Sequence, residues 1–166
     1  MPKLFNVTFV CMGNICRSPT AHGVFRSKLR DAGLERWVGV DSAGTHSFHH
    51  GAPPDRRSQA HAARRGYDLS KLRARQLTAS DFERADLILV MDGDNLTVAA
   101  DRCRPEQRHK LQRLAAFCSV HAVTDVPDPY YGGVEEFERV IDVIEDACEG
   151  LLGHVERELA ARRAAR

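Results

Sequence analysis

Residues 5 to 19 read Phe5-Asn6-Val7-Thr8-Phe9-Val10-Cys11-Met12-Gly13-Asn14-Ile15-Cys16-Arg17-Ser18-Pro19. An apolar, β-forming run ends on Cys11, and a helical pattern opens just after Arg17. From Ser18 to about Leu29 the apolar residues Ala21, Val24, Phe25 and Leu29 recur at helical spacing, and Gly33 follows as a stop. A strand that turns straight into a helix is the unit of an α/β sheet. Its thiol stands at the strand's carboxyl end, where such sheets bind ligands.

The rest of the chain continues the alternation. Trp37 to Asp41 reads as a second strand, and residues 44 to 54 as a loop. Pro54-Asp55 opens a helix through about Arg64, closed by Gly66. Residues 67 to 79 are basic and irregular, and Ser80-Asp81 caps a short turn. Leu87 to Met91 is a continuous apolar run, as expected of a strand covered on both faces. Asp92 to Ala100 reads as helix, Pro105 to His109 as a short helix, and Lys110 to Phe117 as a weak fourth strand. Residues 125 to 133 are loop by their prolines and glycines, and an amphipathic helix runs from about Val134 to the end. The expected fold is a single α/β domain over residues 1–166: a doubly wound, four-stranded parallel sheet with helices on both faces.

Composition excludes several classes. Lys and Arg number 24 against 23 Asp and Glu, so no global field favours nucleic acid or a membrane surface. A basic stretch from Arg56 to Arg75 and an acidic one from Glu135 to Glu149 read as solvated surface or as a basic rim for an anionic substrate. No apolar run is long enough to cross a bilayer, and Met1 to Asn6 lacks the order of an export signal. Five cysteines form no paired framework. A reducing cytoplasm is the expected location, with Cys11 a free thiol or thiolate.

The turn after Cys11 exposes successive backbone N–H groups that suit an anion. Gly13 is expected to supply a conformation closed to other residues, and Asn14 tolerates the left-handed region. Arg17 adds a planar fork matched to two oxygens of a tetrahedral oxyanion. Phosphate, sulfate or arsenate fits this cradle. Its donors and helix end also stabilise a thiolate, and Ser18 can donate a hydrogen bond to the sulfur as it leaves.

Val10 to Pro19 resembles the signature of the low-molecular-weight protein tyrosine phosphatases. Asp41-Ser42-Ala43-Gly44-Thr45, Ala74-Arg75-Gln76-Leu77, Asp86 to Asp92 and Asp128-Pro129-Tyr130-Tyr131-Gly132 extend the resemblance over nearly the whole chain. It implies a metal-free, cofactor-free phosphatase acting on phosphotyrosine proteins and aryl phosphates, as a monomer or weak homodimer. Cys11 would be the nucleophile, Arg17 the phosphate clamp and Asp128 the general acid. Met12, Gly13, Asn14, Ile15, Cys16 and Ser18 would line the phosphate site. Tyr130 and Tyr131 would form one wall of the cleft, and Phe48 or His49 the other. His46, His49 and His50 lack the neighbours of a metal site.

Ile15 favours a flat aryl ester over a phosphoguanidine, since relatives acting on phosphoarginine carry threonine there. Arg65 stands where the family often has a histidine that braces the loop asparagine, so Ser42 is expected to brace Asn14 instead. Cys16 either traps an oxidised Cys11 as a reversible disulfide or is a small buried hydrophobe. Cys103, Cys118 and Cys148 read as structural. Arsenate reduction, phosphoarginine hydrolysis and non-catalytic phosphate binding are the competing functions.

Overall fold

The structure, a computed structural model, describes residues 2–166. Four parallel strands lie in the order β2-β1-β3-β4: β1 Phe5–Cys11, β2 Val38–Gly44, β3 Leu87–Val90 and β4 Leu111–Arg113. The helices are α1 Arg17–Asp31, α2 Arg56–Arg64, α3 Ala79–Arg84, α4 Gly93–Arg102 and α5 Val134–Ala164. β1 pairs with β2 from Phe5↔Val38 to Cys11↔Gly44, and with β3 from Val7↔Leu87 to Val10↔Val90. The chain leaves β1 for one neighbour and later returns to its other side. The strand order therefore switches at β1, and the crevice opens beyond its carboxyl end.

The strand period of two divides the core. Phe5, Val7, Phe9 and Cys11, with Leu87, Leu89 and Met91, pack against apolar residues of α1 and α5. Val10, Ile88 and Val90 face the other way, onto Phe82 of α3 and Ala99 of α4. The unbroken apolar run at 87–91 thus serves both faces, as its sequence predicts.

Several boundaries differ from expectation. β4 covers Leu111–Arg113 rather than 110–117, because β3, the strand it pairs with, has few residues to offer. Leu114–Phe117 instead tightens into a 3-10 turn. β2 reaches Gly44 rather than stopping at Asp41, since it runs beside the full length of β1. The cap of α3 is Thr78, not Ser80, and its backbone N–H is held by the Asp81 carboxylate at 2.8 Å.

The two charged stretches meet each other. Arg65, at the end of α2, bonds Glu138 and Asp142 of α5 at 3.0 and 2.8 Å and reaches Glu145 at 2.5 Å. The end of the α2 basic stretch therefore pairs with the acidic half of α5. Arg65 is turned away from the loop at 11–17, so its position has no part in bracing Asn14.

His22 of α1 is buried, with Nδ1 3.1 Å from Ser42 Oγ. Burial, aided by the nearby Arg26 charge, lowers its pKa to about 4. The unfolded chain therefore binds this proton first, near the ordinary value of about 6.5. The contribution is complete above that pH and is lost as pH falls towards 4. The loss is on the order of 3 kcal/mol. Urea unfolding at stepped pH checks this: His22→Gln should flatten the decline between pH 6.5 and 4, and an unchanged slope would remove His22 as its source.

Candidate active site

β1 delivers Cys11 to the crevice, and α1 begins at Arg17. The carbonyls of Cys11, Met12, Ile15 and Cys16 all turn outward, to the amides of Thr45, His46, Asp55 and Thr20. In a trans peptide the next N–H points the opposite way. The amides of Met12, Gly13, Cys16 and Arg17 therefore face into the loop, which becomes an anion cradle. Gly44 makes the close approach possible, since a Cβ there would stand 2.7 Å from the Met12 carbonyl oxygen.

The left-handed residue of the loop is Asn14, at φ 57°. Gly13, expected to supply that conformation, does not take a positive φ. Its lack of a side chain serves space instead, because a Cβ would meet His49 Cδ2 at 3.0 Å. Asn14 is held from both ends: Nδ2 donates to Ser18 Oγ at 2.8 Å, and Oδ1 accepts from the Arg75 amide at 3.0 Å. Ser42, expected as its brace, bonds His22 instead. The reason is reach: Ser42 lies on β2 against α1, whereas Arg75 lies in the segment that bridges to Gly44. The Arg75 side chain is itself fixed by Asp81 and Asp41, at 2.7 and 2.8 Å.

Cys11 is buried, with Sγ 3.1 Å from Ser18 Oγ. Arg17 is buried in the same floor, and Nη1 donates to Asp92 Oδ2 at 2.7 Å and to the Val126 carbonyl at 3.1 Å. Its Nη2 lies 3.5 Å from Asp128 Oδ2. Burial works against the Arg17 charge, but Cys11, Asp92 and Asp128 outweigh it and hold the guanidinium above its ordinary pKa. Asp92 also caps α4 through the Asn95 amide, so one carboxylate ties Arg17 to the end of β3. Val126, whose amide bonds Met91, roots the 125–133 loop at the same point.

A cavity of about 270 Å³ opens above the cradle. It is lined by Cys11, Met12, Gly13, Ile15, Cys16 and Arg17 below, by His46, Phe48 and His49 on one side, and by Asp128, Tyr130 and Tyr131 on the other. Asn14 and Ser18 lie beneath the lining. Tyr130 and Tyr131 meet edge to face at 5.0 Å, with Tyr131 98% exposed. Phe48 is 84% exposed and rests on the His46 ring at 4.4 Å, so both Phe48 and His49 reach the cavity. Burial raises the Cys16 thiol to about 12, so it stands protonated beside Cys11. Cys103 and Cys148 are buried in the two cores, apart from this lining. No group of three or more metal-binding side chains occurs among the described residues. None of their helices is long and apolar enough to cross a membrane.

Asp92 and Arg75 lie in motifs that carry the resemblance but have no site role assigned from sequence, and His46 is considered there only as a metal ligand. Asp92 carried a signal, since it ends the apolar strand next to β1 at the same sheet edge as Cys11. Arg75 and His46 enter through tertiary approach, which spacing does not encode.

The family model for low molecular weight phosphotyrosine protein phosphatase matches residues 6–161. A low molecular weight protein-tyrosine-phosphatase of Streptomyces coelicolor is 43% identical over 164 residues, spanning 96% of this chain and 99% of that one. The low molecular weight phosphotyrosine protein phosphatase of Homo sapiens is 37% identical over 149 residues, with 89% and 93% covered. Among solved structures, a protein tyrosine phosphatase of Entamoeba histolytica superposes with a TM-score of 0.90 at 41% identity, covering 93% of this chain and 98% of that chain.

Proposed function

The chain belongs to the low molecular weight phosphotyrosine protein phosphatases, a family of hydrolases, and from that premise we propose that Cys11, Arg17 and Asp128 carry its reaction on phosphotyrosine proteins. The observation behind this is their convergence: a thiol, a buried guanidinium and a carboxylate line one cavity above outward-turned carbonyls.

In the first step the substrate phosphoryl group sits on the loop amides and Arg17. The Cys11 thiolate attacks phosphorus, an S–P bond forms, and the bond to the phenolic oxygen breaks. Asp128, protonated, gives its proton to that oxygen. In the second step the Asp128 carboxylate takes a proton from water as the water oxygen attacks phosphorus. The S–P bond breaks, inorganic phosphate forms, and Ser18 steadies the leaving sulfur. The 3.1 Å approach of Ser18 Oγ to Cys11 Sγ supports that role.

Asp92 and Val126 hold the Arg17 fork before substrate arrives, so little reorganisation remains for the reaction itself. Tyr130 and Tyr131 with Phe48 and His49 form the walls for a flat ring. Ile15 in the cavity lining favours an aryl ester over a phosphoguanidine. Cys16, buried beside Cys11 with its thiol held protonated, fits a small hydrophobe of the cradle as well as a reversible disulfide partner for an oxidised Cys11. The enzyme works as a monomer or a weak homodimer in the cytoplasm.

Hydrolysis of p-nitrophenyl phosphate, phosphotyrosine, phosphoserine and phosphoarginine with EDTA present tests the substrate class. Turnover of the two aryl esters alone is expected. Turnover of phosphoarginine at a comparable rate would overturn the aryl assignment, and dependence on added metal would overturn the cysteine mechanism.

A further inference from the structure

Arg57, on the first turn of α2, is not part of the cavity lining, yet it touches the groups that set the cavity's width. Its Nε and Nη2 bond the two carboxylate oxygens of Asp55, at 3.2 and 3.0 Å. Asp55 caps α2 and donates its own amide to the Ile15 carbonyl of the anion loop at 2.8 Å. The guanidinium carbon of Arg57 stands 5.4 Å from the Tyr130 ring centroid and 4.7 Å from that of Phe137. Phe137 stacks on the His61 ring at 5.5 Å, with the planes 9° apart. His61 Nδ1 meets the Glu138 carboxylate. One side chain therefore connects the floor of the site, the aromatic wall and the start of α5.

We propose that Arg57 is a positioning residue that sets the distance between the anion loop and the Tyr130 wall, and so decides how tightly an aromatic substrate ring is held. The physical ground is the shape of the guanidinium. Its edge is occupied by a carboxylate fixed to the loop, while its π face remains free for rings. A lysine carries the charge but neither the fork nor the plane. Phe137, held by His61, gives the guanidinium a second ring, so the strut does not swing with Tyr130 alone. This inference rests on the reading of Tyr130 as a substrate wall.

The distinguishing property is that inorganic phosphate has no ring. Arg57→Ala should raise KM for p-nitrophenyl phosphate and for a phosphotyrosine peptide by roughly three- to ten-fold. It should leave kcat within about two-fold and the inhibition constant of inorganic phosphate unchanged, because the loop donors and Arg17 stay in place. Arg57→Lys should recover only part of the loss. In a double-mutant cycle with Tyr130→Ala, the Arg57→Ala effect on KM should largely disappear, since the strut would have no wall to place.

An unchanged KM in Arg57→Ala, with Tyr130→Ala raising it, would overturn the strut and leave the wall. An unchanged KM in Tyr130→Ala would overturn the wall and the strut with it. A parallel rise in the phosphate inhibition constant, or full restoration by lysine, would reduce Arg57 to loop support or charge and also overturn the proposal.

Discussion

Cys11→Ser is expected to abolish turnover of aryl phosphates, by about 10⁴-fold or more, while inorganic phosphate still binds. The two halves of this expectation come from separate parts of the site. Bond formation needs the sulfur, and a serine hydroxyl at the same place is far less ionised and less nucleophilic. Anion binding needs the inward amides and Arg17, and none of these depends on the sulfur. Their geometry is held from outside, through the Thr45, His46, Asp55 and Thr20 amides and the Asp92 carboxylate. Steady-state hydrolysis and phosphate titration by calorimetry read the two halves independently. Turnover near the native rate would remove Cys11 as nucleophile. Loss of phosphate binding along with turnover would mean that the sulfur also maintains the loop.

Asp128→Asn is expected to slow phenyl phosphate and phosphotyrosine by about 10²- to 10⁴-fold and p-nitrophenyl phosphate much less. A nitrophenolate departs readily without a proton, whereas an ordinary phenolate does not. The carboxamide oxygen of the variant would still accept the Tyr130 amide, which now bonds Asp128 Oδ1 at 3.1 Å, so the loop turn is kept. Arg17 loses one charged neighbour at 3.5 Å but retains Asp92 and the Val126 carbonyl. The native enzyme should show a flat dependence of kcat/KM on leaving-group pKa, and the variant a steep one. Parallel lines for the two proteins would rule Asp128 out as the acid.

These effects depend on residues far apart in the chain, yet each lies in a short motif, and that is why so much was legible. The strand-turn-helix at 5–19 carries its chemistry in a contiguous segment, so sequence order and spatial order coincide there. Asp128-Pro129-Tyr130-Tyr131 is likewise short and unbroken. The alternation of Phe5, Val7 and Phe9 with Thr8 and Val10, and the unbroken apolar run at 87–91, follow from strand geometry alone. Both are local rules, and a sequence obeys them locally. The bounds of β2 and β4 were less legible, because a strand ends where its partner ends and the partner lies elsewhere in the chain.

The supports of the site belong to that second kind. Asn14 could be read as the residue able to take a positive φ, but nothing along the chain says that the Arg75 amide would hold it. Ser42, expected as the brace because Arg65 replaces the family's histidine, instead faces His22 across the β2–α1 contact. Asp92 behind Arg17, and Arg57 between Asp55, Tyr130 and Phe137, are likewise products of assembly.

The amino-acid sequence by itself determined the parallel α/β layout, the anion loop after β1 with Cys11 at its start, and the late loop that carries Asp128. Each is specified by side-chain periodicity or by neighbours a few bonds away. Only the tertiary structure decided which groups brace Asn14, hold Arg17 and bring Arg57 beside Tyr130. The Arg75 amide lies 61 residues from Asn14, and the Val126 carbonyl 109 residues from Arg17. Which of such distant segments meet depends on how the helices pack on the sheet, and no local rule of spacing carries that information.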